Sequence, residues 1–146
     1  MATFSRNVTV NWEGSIMEGK GEAKAGSGAF TLPVSFPRRI GDAQGVTSPE
    51  ELIAAAHAAC YAMALNATVG RSGGQIAKTD VTATVTADKG DSGITITTSK
   101  LSVTAHGLTG IPKEQFAEVA KQAEAGCPVS NALRGSLQIQ LDAKAV

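Results

Sequence analysis

Ser48-Pro49-Glu50-Glu51-Leu52-Ile53-Ala54-Ala55-Ala56-His57-Ala58-Ala59-Cys60 is the stretch whose periodicity decides the fold. Ser48 stands where an N-cap belongs, Pro49 occupies the first helical position, and Glu51 follows the serine by three, so the segment opens like a capping box. Leu52, Ile53, Ala56, Ala59, Cys60, Met63, Ala64 and Ala67 then recur at helical spacing and read as a buried stripe. Ala54, Ala55, Ala58 and Ala62 leave few bulky or charged side chains on the remaining surface. A helix apolar nearly all round is surrounded by protein, so this is a central helix, packed in its own chain or against its own copy.

Outward from that helix, the pattern changes to strands. Val8, Val10 and Trp12 alternate with polar residues as in an edge or half-buried strand, and glycines at 14, 19, 21, 26 and 28 punctuate the way to Phe30, Leu32, Val34 and Phe36. This predicts a meander of two or three short strands. Pro37 to Thr47, with Arg38, Arg39, Gly41, Asp42 and Gly45, has no periodicity and reads as a loop. After the helix, Val81, Ala83, Val85 and Ala87 form a strand, and Lys89 to Gly93 a turn. Ile94 and Ile96 are out of phase with Leu101, Val103 and Ala105, which predicts a bulge near Thr98 to Lys100. Phe116, Val119, Ala120 and Ala123 make an amphipathic helix ended by Gly126; Cys127-Pro128 opens a short one, and Leu137, Ile139 and Leu141 a final strand. The order is that of an α+β fold with an antiparallel sheet, not a Rossmann alternation.

Composition narrows the function. The chain has 146 residues, enough for one domain, residues 1–146, with a core that needs no disulfide staples. Thirteen basic residues balance thirteen acidic ones, which gives no electrostatic case for nucleic acid or an anionic membrane. Met1 to Asn7 leads straight into the first strand with no signal-peptide pattern, so a cytoplasmic location is expected. Leu52 to Leu65 is too short to span a bilayer and contains His57, so no membrane span is expected either. In a reducing compartment two cysteines are reactive, metal-binding or incidental rather than a structural disulfide.

Cys60 admits two readings. In an apolar helix a thiol is a small buried hydrophobe, because low polarity disfavours the thiolate. Cys127 argues the other way: placed before Pro128 at a helix start, its sulfur would face free amide donors and the positive dipole end, a setting that favours thiolate. Sixty-six residues separate the two cysteines, and neither has a second Cys or His at zinc-site spacing, so Cys60 and His57 do not close a metal site. A Cys-His hydrolase on that pair lacks a third group at helical spacing to orient the imidazole; packing or a helix hydrogen bond is the other role for His57.

A reactive Cys60 needs a cation. Arg38 and Arg39 precede the helix and are the candidates, though two solvated loop arginines fit as well. Ionisation alone gains little: lowering a thiol from ~8.5 to ~6 raises its thiolate fraction about thirtyfold, and nucleophilicity falls roughly tenfold. The arginine would also have to hold a peroxide oxygen and stabilise charge on the departing one. Glu50 suits a guanidinium by bidentate pairing, or simply favours the helix dipole. Ten residues at 1.5 Å rise put it about 15 Å along the axis from Cys60, which suggests a site assembled from two chains.

Asn11-Trp12-Glu13-Gly14, Ser48-Pro49-Glu50-Glu51-Leu52, Ala56-His57-Ala58-Ala59-Cys60 and Gly126-Cys127-Pro128-Val129-Ser130 together resemble the OsmC/Ohr peroxidases, the thiol-dependent hydroperoxide reductases, along nearly the whole chain. His57 and Val129 are closer to the OsmC branch than to Ohr, where an aromatic residue and a tyrosine are common at these places. The resemblance implies antiparallel sheets wrapped around central helices in an intertwined homodimer. It implies that Cys60 is the peroxidatic thiol and Cys127 the resolving one, and that Glu50 pairs with an arginine three residues after an aromatic. That is Arg39 after Phe36, with Arg38 the neighbouring competitor. The expected substrates are organic hydroperoxides, with hydrogen peroxide second, and the expected reductant is an external dithiol, for this family typically of lipoyl type, with no cofactor or metal. The alternative is a dimer of the same fold that binds apolar ligands or senses redox state without turnover.

Overall fold

The computed structural model describes all residues, Met1–Val146. Its backbone falls into two compact units, Met1–Pro49 and Glu50–Val146.

In the first unit, β1 (Val8–Glu13), β2 (Lys20–Ala25) and β3 (Thr31–Val34) form an antiparallel sheet in sequence order. This is the expected meander. β1 is an edge strand with both faces open, so Val8, Val10 and Trp12 are exposed. The segment expected as loop begins instead with a short helix, α1 (Phe36–Ile40), opened by Pro37 and carrying Arg38 and Arg39 in its last turn. Pro37 pre-sets the helical backbone there, and five residues are too few for a hydrophobic period to register.

The second unit begins with α2 (Pro49–Arg71), continues through β4 (Lys78–Gly90), β5 (Gly93–His106), α3 (Lys113–Gly126) and α4 (Pro128–Leu133), and ends in β6 (Gln138–Ala145). β4 and β5 are an antiparallel hairpin, whereas β6 lies parallel to β5, from Thr98↔Gln138 to Ala105↔Ala145. The antiparallel expectation thus holds for the first sheet and for one pair of the second. The two helices between β5 and β6 supply the crossover connection that a parallel pairing requires. The pairing of β4 with β5 slips at Thr86/Ala87, where Thr97 is the extra residue. That bulge lies one residue before the expected segment, and it brings Ser99, Leu101, Val103 and Ala105 onto the inner face.

The core is formed by Tyr61, Leu65 and Val69 of α2, the inner face of β5, and Phe116, Val119, Ala120 and Ala123 of α3. The four α3 residues are those that the sequence pattern selects. The α2 stripe differs from expectation: His57, Tyr61, Leu65, Thr68 and Val69 face the core, while Ala56, Ala59, Met63 and Ala67 are exposed on this chain. His57 and Tyr61 carry polar atoms, but both are hydrogen-bonded within the core, which offsets the cost of burying them. Their bulk then fills the space over the sheet. α2 runs for 23 residues, long and apolar enough by length and composition to cross a membrane, so the length argument against a span fails. One side of it is instead built into this core.

Candidate active site

Cys60 lies in the middle of α2, half-buried, on the flank of the core stripe. Cys127 is fully buried between two helices: it closes α3, donating its backbone N–H to the Glu124 carbonyl at 3.1 Å, and it is the N-cap of α4. Pro128 at the first position of α4 needs no hydrogen-bond donor and lets the chain turn sharply from one helix into the next. Both thiols are free, and the two sulfurs meet within hydrogen-bonding contact.

The helix start serves the other cysteine from the one expected. The Cys127 side chain caps no amide of α4. The backbone N–H of Val129, in the first turn of α4, is instead directed at the Cys60 sulfur. Burial raises the Cys60 thiol above its ordinary value, the Val129 amide lowers it, and the neighbouring Cys127 raises it again; the net direction is up. Within α2 and α4 alone, Cys60 is therefore a protonated thiol with one amide ready to receive negative charge.

His57, one turn before Cys60, has no exposed surface. Its Nδ1 is 2.7 Å from the Ser99 hydroxyl on β5, and its Nε2 is 2.8 Å from the Ser130 hydroxyl on α4. A neutral imidazole satisfies both contacts, donating to one serine oxygen and accepting from the other hydroxyl. Desolvation holds its pKa below the ordinary value, against a smaller upward pull from Glu124. With both nitrogens engaged by serines, His57 is not a base for Cys60, and the Cys-His hydrolase is set aside. Tyr61 adds a further tie, its hydroxyl donating to the Ala120 carbonyl of α3 at 3.0 Å.

The structure thus brings Cys60 and Cys127 together. Glu50 is in the first turn of α2, ten residues before Cys60, which is about 15 Å along the helix axis. Arg39 is half-buried in α1 of the first unit, and Arg38 beside it donates to the Asp42 carbonyl at 3.2 Å. Ser99, Ser130 and the Val129 amide were given no role by the sequence. Ser99 had a signal, since a serine in phase with Leu101, Val103 and Ala105 points into the core and must find a partner. Ser130 had another: it follows Cys127 by three, as Cys60 follows His57.

The family profile described as OsmC-like protein matches residues 41–142. Peroxiredoxin OsmC of Escherichia coli strain K12 is 38% identical over 143 residues, covering 97% of this chain and 99% of the relative. Organic hydroperoxide resistance protein-like 2 of Staphylococcus epidermidis is 31% identical over 119 residues, covering 80% and 81%. Among solved structures, an organic hydroperoxide resistance protein from Elizabethkingia anophelis superposes with a TM-score of 0.76 at 25% identity, covering 100% of both chains. From the thiol pair, the fold around it and these matches along nearly the whole length, the chain belongs to the OsmC-like protein family.

Proposed function

We propose that this chain is a thiol-dependent peroxidase that reduces organic hydroperoxides, and hydrogen peroxide less well, through Cys60 and Cys127. The observation that carries the reading is the meeting of a half-buried and a fully buried thiol under the Val129 amide. The relatives named for peroxiredoxin activity and for resistance to organic hydroperoxides support it.

In the first step the Cys60 thiolate attacks one peroxide oxygen and the O–O bond breaks. Cys60 becomes a sulfenic acid and the other oxygen leaves, taking a proton, as alcohol or water. Cys127 then attacks the Cys60 sulfur: an S–S bond forms, the S–O bond breaks, and the hydroxyl leaves as water with the proton of the Cys127 thiol. A dithiol of lipoyl type returns two hydrogens and restores both cysteines. The peroxide brings the oxidising equivalents and the dithiol the electrons, so the cycle calls for no metal, flavin or haem.

Burial works against the thiolate, so a cation has to work for it. Arg39 takes that part, with Glu50 as the carboxylate that orients it, and the guanidinium also stabilises the charge on the leaving oxygen. Two copies of the chain in a cytoplasmic homodimer supply the apolar cover that the exposed side of α2 lacks. The test is consumption of cumene hydroperoxide with a dithiol. Turnover is expected in the wild type and in neither Cys60→Ser nor Cys60→Ala; persistence in both would overturn the reading. After one equivalent of peroxide, mass spectrometry should find a Cys60–Cys127 disulfide, and a lasting sulfenic acid beside a free Cys127 would remove Cys127 from the cycle.

A further inference from the structure

The Ser99–His57–Ser130 chain is the one fully buried polar network of the second unit that the reaction above does not use. It spans three elements, β5, α2 and α4, and its two ends differ in kind. Ser99 is on a strand held by hydrogen bonds on both sides, to β4 and to β6. Ser130 is on a six-residue helix that carries Cys127 at its cap and Val129 in its first turn. His57 and Cys60 are three residues apart on α2; Cys127 and Ser130 are three residues apart on α4. The His57–Ser130 hydrogen bond and the contact of the two thiols are therefore neighbouring rungs between the same pair of helices.

A helix of six residues has too few internal hydrogen bonds to hold its own direction. Something outside it must set where Cys127 and the Val129 amide point. We propose that His57 is a positioning residue for the thiol pair: braced by Ser99 on the sheet, it holds Ser130 and so fixes α4 with Cys127 and the Val129 N–H against Cys60. The inference rests on the two-thiol reading above for its purpose, but not for its test. An imidazole suits this work because it is rigid and carries one polar atom on each of two sides, so a single side chain spans from strand to helix with neither nitrogen left unpaired.

The experiment measures closure of the Cys60–Cys127 disulfide in the full chain, driven separately by cumene hydroperoxide and by diamide, a thiol oxidant that needs no peroxidase chemistry. Rapid quenching and mass spectrometry follow the disulfide, with dimedone trapping any sulfenic acid. Loss of one buried hydrogen bond should slow closure by about tenfold in Ser130→Ala. Under peroxide, the Cys60 sulfenic acid should then accumulate. Ser99→Ala touches neither α4 nor a thiol, yet it should also slow closure, by about threefold, because it releases the brace. Ser130→Thr keeps the hydroxyl and should recover most of the rate lost in Ser130→Ala. Wild-type closure with diamide in Ser130→Ala or in Ser99→Ala, whatever the change in thermal stability, would overturn the proposal, since a network that only stabilises the fold leaves that rate alone. Closure of the wild type by diamide but not by hydroperoxide would instead defeat the peroxidase reading, while the diamide rates still judged the role of His57.

Discussion

Cys60 is held between influences of opposite sign. Burial and Cys127 keep its proton on, the Val129 amide favours taking it off, and the first two prevail. If Arg39 is what overturns that balance, Arg39→Ala should leave the thiol to its surroundings: the pH midpoint of Cys60 alkylation should move up, and peroxide turnover should fall by about 10²-fold, the usual loss for one donor to a developing oxyanion. An unchanged midpoint and rate would remove Arg39 from the site and leave Arg38 to be tried. His57 permits a second prediction. Its folded pKa is depressed, so below the ordinary value the folded chain binds fewer protons there than the unfolded chain does. The stability it contributes is full above about pH 6.5 and is lost as pH falls through the lower folded value. The urea midpoint should therefore drop between pH 7.5 and pH 5, and the drop should shrink in His57→Gln; an equal drop in both would show that the acid sensitivity lies elsewhere.

Elements depend on contacts that side-chain patterns do not announce. Gly110, between β5 and α3, has φ +82°, and a Cβ there would collide with the carbonyl oxygen of Gly73. Gly110→Ala should cost about 1–3 kcal/mol in chemical denaturation, through strain and the loss of that close approach. The four core residues of α3, the alternation along β4 and β6, and the bulge in β5 were all legible, because each is a local period or a break in one. The direction of β6 was not, since the same alternation serves a parallel or an antiparallel neighbour. Nor was the true inner side of α2: an alanine-rich helix has several apolar stripes, and only the partners Ser99, Ser130 and Ala120 choose the one with His57 and Tyr61. In the site, the motifs pointed to both cysteines, but the amide that reaches Cys60 comes from the backbone and has no residue signature.

At the scale of the molecule, what stands out is apolar surface. Met63 on α2 is 69% exposed, beside Ala59 and Ala67, and in the first unit Val8, Val10 and Trp12 lie open on β1. Such surface on a neutral chain asks for cover, and a second copy is the cover proposed. Light scattering should give twice the mass of the 146-residue chain, and Met63→Arg should shift it toward the single-chain mass; a wild type that runs as a monomer at micromolar concentration would end the two-chain account of the site. The seat of β6 has a different consequence, for the register of the thiols. β6 is translated after both cysteines, yet it packs against α3, the helix that delivers Cys127. The seat of α3, and with it the register of the two sulfurs, therefore depends in part on a strand that follows both cysteines in the chain.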